Sequence, residues 1–124
     1  MHKATDLVLI NTPLKDYDIS KRINKFTLPT LGLAYIATVA ESAGFSVQVI
    51  DAEARGIGFD AIARDVNAIA PRWVGLNLLA PTYENSKAIL KRINPEIRVM
   101  LGGHQAKAMP NEILADLEIS RIDA

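Results

Sequence analysis

A doubly wound α/β fold on a parallel sheet is the architecture this sequence predicts, and three observations predict it. Short apolar runs alternate with longer stretches of helical periodicity along the chain. The runs at 7–10 and 73–78 have the composition of strands covered on both faces. Glycine and proline fall at the junctions, where turns and helix ends need them.

Leu7-Val8-Leu9-Ile10, between Asp6 and Asn11, reads as a buried strand. Thr12 to Pro29 is a loop of 18 residues, long for a compact domain and of a kind that more often carries function. Its Lys21, Arg22 and Lys25 read as a solvated surface. Thr30 caps the first helix, with Leu33, Ile36, Ala37 and Ala40 on its apolar stripe, Tyr35 as packing and Gly44 as its stop. Phe45 to Ile50 alternates apolar and polar residues, which marks a half-exposed edge strand. Asp51 ends it, and Gly56 and Gly58 punctuate a turn. Phe59, Ile62, Ala63, Val66 and Ile69 mark the second helix, closed by Pro71.

Trp73 to Leu78 suits a central strand. Pro81 and Thr82 open a third helix, with Thr82 as its cap and Tyr83, Ile89 and Ile93 facing the core. Ile97 to Leu101 is a fourth strand that runs into Gly102-Gly103-His104. Pro110 begins a further helix carrying Ile113, Leu114 and Leu117. Ile119 to Ala124 reads as a fifth strand cut short.

Strict alternation with right-handed crossovers gives three layers, with helices on both faces of the sheet. An edge position for the second strand gives a Rossmann-like, flavodoxin-like order, 2-1-3-4 followed by the truncated fifth strand. Ligands on such a sheet sit where the order reverses, at the carboxyl ends of strands one and three. That directs attention to residues 11–31, 78–82 and 102–104.

Composition removes many functions. The chain has 124 residues, one domain's worth, with 49% apolar residues and no cysteine. Without cysteine it has no disulfide, thiolate zinc site, iron–sulfur ligation or cysteine nucleophile. Only His2 and His104 are present, which excludes a multi-histidine metal site. Acidic and basic residues balance at 14 each and aromatics are 6%, a poor basis for nucleic-acid binding. No apolar run approaches the roughly 20 residues of a membrane span, and the N-terminus shows no leader, so a cytoplasmic protein is expected.

The usual tenants of this architecture fit poorly. A dinucleotide site needs G-x-G-x-x-G after strand one, and Asn11-Thr12-Pro13-Leu14 contains no glycine. A phospho-receiver needs an acidic cluster for Mg²⁺ at strand ends that here carry Asn11 and Leu78. A flavin phosphate loop rich in Ser, Thr and Gly is also missing. Asp51 and Glu53 need no role beyond turn formation and capping.

Two stretches are more specific. Leu28-Pro29-Thr30-Leu31-Gly32-Leu33-Ala34-Tyr35-Ile36-Ala37 precedes Ala43-Gly44-Phe45-Ser46-Val47, and Val74-Gly75-Leu76-Asn77 precedes Leu101-Gly102-Gly103-His104. With Pro81-Thr82 and Pro110-Asn111-Glu112 these resemble, in order and over essentially the whole chain, the cobalamin-binding domain of radical S-adenosylmethionine enzymes. The resemblance extends to their methyltransferases and to the anaerobic ring-forming cyclase type. It implies that residues 1–124 are a single cobalamin-binding domain, an N-terminal fragment of a larger radical enzyme with no complete catalytic site of its own. The 4Fe–4S cluster and S-adenosylmethionine would belong to a downstream domain bearing C-x-x-x-C-x-x-C.

The resemblance and the strand ends together nominate Thr12, Pro13, Leu31, Gly32, Leu33, Leu78, Ala80, Thr82, Gly102, Gly103 and His104 as cofactor-binding, and no residue as catalytic or metal-ligating. Gly32 in a first helical turn costs about 1 kcal/mol relative to alanine, a cost that close approach of a cofactor or of a strand would explain. Mutases and methionine synthases carry D-x-H-x-x-G after strand one, whose histidine ligates cobalt from below. Here the loop reads Asp16-Tyr17-Asp18-Ile19-Ser20-Lys21, so base-off binding without a protein histidine is expected. Expected partners are cobalamin, the downstream radical domain and, through the truncated sheet edge, a second copy; nucleic acid and membrane are not expected. The alternative is a domain that keeps the fold but has lost the cofactor and serves interaction or substrate shaping.

Overall fold

The structure, a computed structural model, describes residues 4–20 and 31–117. Four parallel strands, β1 (Leu7–Asn11), β2 (Val47–Asp51), β3 (Trp73–Asn77) and β4 (Arg98–Gly102), lie in the order β2-β1-β3-β4. This is the predicted order, with β2 at an edge. Six helices are described: α1 (Leu31–Ser42), α2 (Ala52–Arg55), α3 (Phe59–Ile69), α4 (Tyr83–Arg92), α5 (His104–Ala108) and α6 (Pro110–Leu117). The expected cap at Thr30, the basic residues 21–25 and the expected strand at 119–124 lie outside the described residues.

Strand alternation sorts the core into two unequal halves. Val8, Ile10, Val74, Leu76 and Val99 point to one face, where Ile62, Val66, Ile89, Leu90 and Ile113 of α3, α4 and α6 cover them. Leu7 and Leu9 point to the other, where, among the described residues, only Leu33 and Ala37 of α1 are buried against them. The helical stripe of α1 is therefore narrower than its sequence suggests. Ile36 is 47% exposed and Tyr35, expected as packing, is 73% exposed. Leu114 of α6, also expected inside, is half exposed. A helix flanked by a second helix buries a broad stripe; α1 has no described neighbour on its face.

Several boundaries move for local reasons. β2 starts at Val47 rather than Phe45, because the amides of Gly44 and Phe45 close α1 by donating to Glu41 and Ala40 carbonyls at 3.0 Å each. The region after β2 forms the short helix α2, capped by Asp51, whose carboxylate accepts from the Ala54 amide at 3.1 Å. Gly56 closes α2 in the left-handed conformation (φ 65°). Residues 80–82 form a 3₁₀ turn ahead of α4, and Thr82 caps nothing: its hydroxyl turns back to the Leu79 carbonyl at 3.4 Å.

Candidate functional site: a cleft at the switch point of the sheet

Strand register builds the site. On the α1 face, Val49, Leu9, Gly75 and Met100 form one row across the sheet. Gly75 is a notch in that row. A Cβ there would lie 2.8 Å from Leu9 Cδ2 and 3.2 Å from Met100 Cγ, so the two neighbours lean into the gap and only glycine leaves it open. Above the notch, Asn77 pairs with Gly102 at the strand ends. The α1 wall contributes Gly32, Leu33 and Ile36. The result is an apolar cavity of about 300 Å³, lined further by Leu76, Leu101 and Gly103, that opens at the carboxyl ends of β1, β3 and β4. This is the switch point, where α1 leaves one side of β1 and the other crossovers leave the opposite side.

Glycine shapes the rim at three more positions. Side-chain positions on Gly32 and Gly102 face open space, so both expose backbone to whatever enters. Gly103 has φ 91°, and a Cβ on it would collide with the Asn77 carboxamide and approach the Leu78 carbonyl to 2.9 Å. A shallower, more polar hollow beside it is bounded by Asn77, Gly102, Ala106 and Lys107. Asn77 thus borders both the apolar cleft and the polar hollow.

The loop after β1 is drawn the other way. Thr12 is buried, with its hydroxyl 2.8 Å from that of Ser86 on α4. Asn85 holds the carbonyls of Pro13 and Leu14 at 2.9 Å each. Glu53 accepts from the Leu14 amide and the Tyr17 hydroxyl, both at 2.8 Å. Asp16 and Asp18 cap α3 from outside, accepting from the amides of Phe59 and Asp60 at 3.1 Å each. Gly58, the N-terminal residue of α3's cap, has no side chain to do this, and a Cβ on it would collide with both aspartates. Asn11 donates to Asp51 at 2.8 Å. Asp51 caps α2, as read from the sequence, whereas Glu53 anchors the loop after β1, a long-range role the sequence did not show.

Of the nominated residues, the structure brings Gly32, Leu33, Gly102 and Gly103 together around the cleft. Leu31 and His104 begin α1 and α5 beside it. Ala80 is exposed in the turn after β3. Thr12, Pro13, Leu78 and Thr82 are buried, Thr12 in its contact with α4 and Leu78 in the core beneath α3 and α4. Their side chains do not line the cleft. Sequence reasoning missed Leu9, Ile36, Gly75, Leu76, Asn77, Met100 and Leu101 as lining residues. A glycine inside an otherwise apolar strand was the available signal for Gly75, since it marks close approach of another group. Among the described residues, no cluster of His, Asp or Glu is suited to a metal ion, and no helix is long and apolar enough to cross a membrane.

An open parallel sheet with an apolar cleft at its switch point defines a ligand-binding α/β domain. The model of the B12 binding domain matches residues 24–123, and the chain belongs to that family, whose ligand is cobalamin. Two solved structures of TsrM, a radical S-adenosylmethionine methyltransferase from Kitasatospora setae, are similar in fold. One, with cobalamin and a 4Fe–4S cluster bound, has a TM-score of 0.68 at 21% identity. The other, with tryptophan substrate and the S-adenosylmethionine analogue aza-SAM, has a TM-score of 0.66 at 20% identity. Each match covers 92% of this chain and 22% of the other, so the chain spans about a fifth of those proteins. The comparison with curated proteins returns no relative. The cobalamin-binding resemblance first carried by the 28–37 and 101–104 stretches is borne out by the family, and the two solved structures share the fold.

The cleft fits the family's ligand in kind. A corrinoid is a broad, largely apolar disc fringed with amides. Gly32 and Gly102 leave backbone open to such a disc, and Asn77 places a carboxamide at the boundary between apolar and polar ground.

Proposed function

We propose that this domain holds cobalamin base-off across the carboxyl ends of β1, β3 and β4 and presents its upper face to a radical S-adenosylmethionine domain of the same polypeptide. The cleft floored by Gly75 carries the reading. An apolar cavity of about 150 Å³ accommodates benzene, so one of about 300 Å³ suits a planar bicyclic base but not a corrin ring. A base detached from cobalt needs such a place. The corrin would then lie over Gly32, Gly102 and Gly103, with its amides meeting exposed backbone and Asn77.

Bound cobalamin supplies a cobalt centre able to carry a methyl group. The residues of this chain bind and orient it; none is assigned to bond-making. The loop after β1 is consistent with an absent lower ligand, because Asp16 and Asp18 are committed to α3 and Tyr17 to Glu53. Methyl transfer or ring formation would depend on the partner domain.

The test is direct. The purified protein is mixed with hydroxocobalamin, desalted and scanned, and heat of binding is measured up to high micromolar ligand. Retained corrinoid absorbance is expected. The paramagnetic resonance spectrum of the cob(II)alamin form should lack nitrogen superhyperfine splitting. No absorbance and no heat would favour a domain that keeps the fold without the cofactor. Splitting that disappears in His104→Ala would replace base-off, histidine-free binding with axial ligation.

A further inference from the structure

The apolar cleft carries a single strong hydrogen-bonding side chain. Of the described residues that line it, only Asn77 bears an amide, hydroxyl or charge; the rest are aliphatic residues, Met100 and glycines. Alternation puts Trp73, Gly75 and Asn77 on the α1 side of β3, while Val74 and Leu76 enter the opposite core. Asn77 therefore follows the Gly75 notch by two residues, about 6.6 Å along the strand at the usual rise. That spacing matches the span of a fused bicyclic base. A ring laid on Gly75 brings its leading edge to Asn77.

The carboxamide there is given room and left unused. A Cβ on Gly103 would collide with Asn77 Oδ1, so glycine at that position makes space for it. Nearby backbone groups are already taken. The Leu78 amide donates to the Gly102 carbonyl at 2.8 Å, and the Lys107 amide donates to the Gly103 carbonyl at 3.1 Å. Asn11, at the end of β1, donates to Asp51 at 2.8 Å. Among the described residues the Asn77 side chain makes no such bond. It is half-buried, on the border between the apolar cleft and the polar hollow.

A carboxamide offers a donor and an acceptor side by side. Dimethylbenzimidazole, the base of cobalamin, presents one ring-nitrogen acceptor and two methyl groups once it leaves cobalt. It can take a hydrogen bond from the amide nitrogen and leaves the amide oxygen without a partner. An aminopurine presents an amino donor next to a ring-nitrogen acceptor, a pattern that asparagine meets with two bonds. In an enclosed apolar site the polar atom left unpaired is what discriminates between ligands.

We infer that Asn77 reads the detached base and favours corrinoids whose base is an aminopurine over dimethylbenzimidazole. The inference rests on the base-off binding proposed above and adds to it the chemical class of the base.

Three corrinoids test it in their hydroxo or aquo forms: cobalamin, the cobamide that carries adenine, and cobinamide, which has no base. Each is titrated calorimetrically into the parent protein, Asn77→Leu and Asn77→Ala. The quantity read is the affinity for the adenine cobamide divided by that for cobalamin. The unequal cost of lifting the two bases from cobalt enters the ratio of every protein alike, so comparison between proteins cancels it. Leucine keeps the volume of the side chain, and alanine adds no apolar surface for the methyl groups. The ratio should fall about fivefold or more in both variants. Cobinamide should bind the parent more weakly than the other two, and equally in all three proteins. An unchanged ratio, with cobinamide still the weakest ligand, overturns the inference alone and leaves base-off binding in place. Cobinamide that binds as tightly as the others shows that no base enters the cleft and overturns both, as does the absence of binding by all three. Each variant decides alone if the other fails to fold.

Discussion

Replacing Gly75 by alanine puts one methyl group on the floor of the cleft and separates folding from binding. Two effects on stability oppose each other. Glycine inside a strand costs roughly 0.5–1 kcal/mol relative to alanine, so the substitution gains that much. The new Cβ would meet Leu9 Cδ2 at 2.8 Å and Met100 Cγ at 3.2 Å. Both are side-chain atoms, and the methionine is adaptable, so the overpacking cost should sit near the low end of about 1–3 kcal/mol. The net loss is then about 1 kcal/mol or less, a shift that urea unfolding resolves. The ligand feels the methyl without the compensation. A group seated against Gly75 must move outward or strain, and the same 1–3 kcal/mol then weakens cobalamin roughly 5- to 150-fold. Calorimetric titration of the two proteins with hydroxocobalamin gives the ratio. Gly32→Ala is the companion: its Cβ faces open space, so the apo protein should gain up to about 1 kcal/mol. A Gly75→Ala protein that binds cobalamin as tightly as its parent would refute the assignment of a ligand group to the cleft.

Three further outcomes are expected. Gly58→Ala should lose at least about 1–2 kcal/mol in urea unfolding by displacing the two aspartate caps of α3, each worth about 1 kcal/mol; its Cβ would also collide with the Asp18 backbone nitrogen, so only the capping part of the loss should vanish in an Asp16→Ala, Asp18→Ala background. Thr12→Val strands the buried Ser86 hydroxyl and should cost about 1–3 kcal/mol, and adding Ser86→Ala should recover most of it. Burial and the bond to Asp116 push the Tyr83 phenol up to about 12, so its stabilising effect is complete below its ordinary 10.0 and fades as pH rises through the folded value. Absorbance titration of Asp116→Asn should bring the Tyr83 midpoint down only part of the way, since burial, the largest single cause, remains. Asp116 itself is held below the usual carboxylate range by Tyr83 and Lys87, so this contact contributes above that range and is lost in acid; Tyr83→Phe should raise the Asp116 midpoint seen by carbon NMR.

Much of the fold was legible because strands and crossovers obey local and chiral rules. Leu7 to Ile10 is apolar at every position, and β2 is not, which was enough to set one strand inside and the other at the edge. Gly102 and Gly103 were legible as rim residues from their place after β4. What escaped was cross-strand. Nothing near Gly75 in the sequence states that Leu9 and Met100 flank it, because register is set by pairing across the sheet. Thr12 and Thr82 stand at strand and helix ends, as site residues do, yet their hydroxyls turn to Ser86 and Leu79. The exposure of Tyr35 and Ile36 escaped for a different reason: periodicity tells which side of a helix is apolar, not how much of that side a neighbour covers.

The unequal halves of the core also set a hierarchy of motion. The amides of α3 and α4, over the large cluster, should exchange with solvent deuterium only when most of the molecule opens. Those of α1, fastened by little more than Leu33 and Ala37, belong to a weaker cooperative unit. Gly32, Leu33 and Ile36 of that same helix form one wall of the cleft. A ligand at 100 times its dissociation constant stabilises the bound form by about 2.7 kcal/mol. The slowing of exchange should therefore be read first in α1, the element the empty domain holds least firmly.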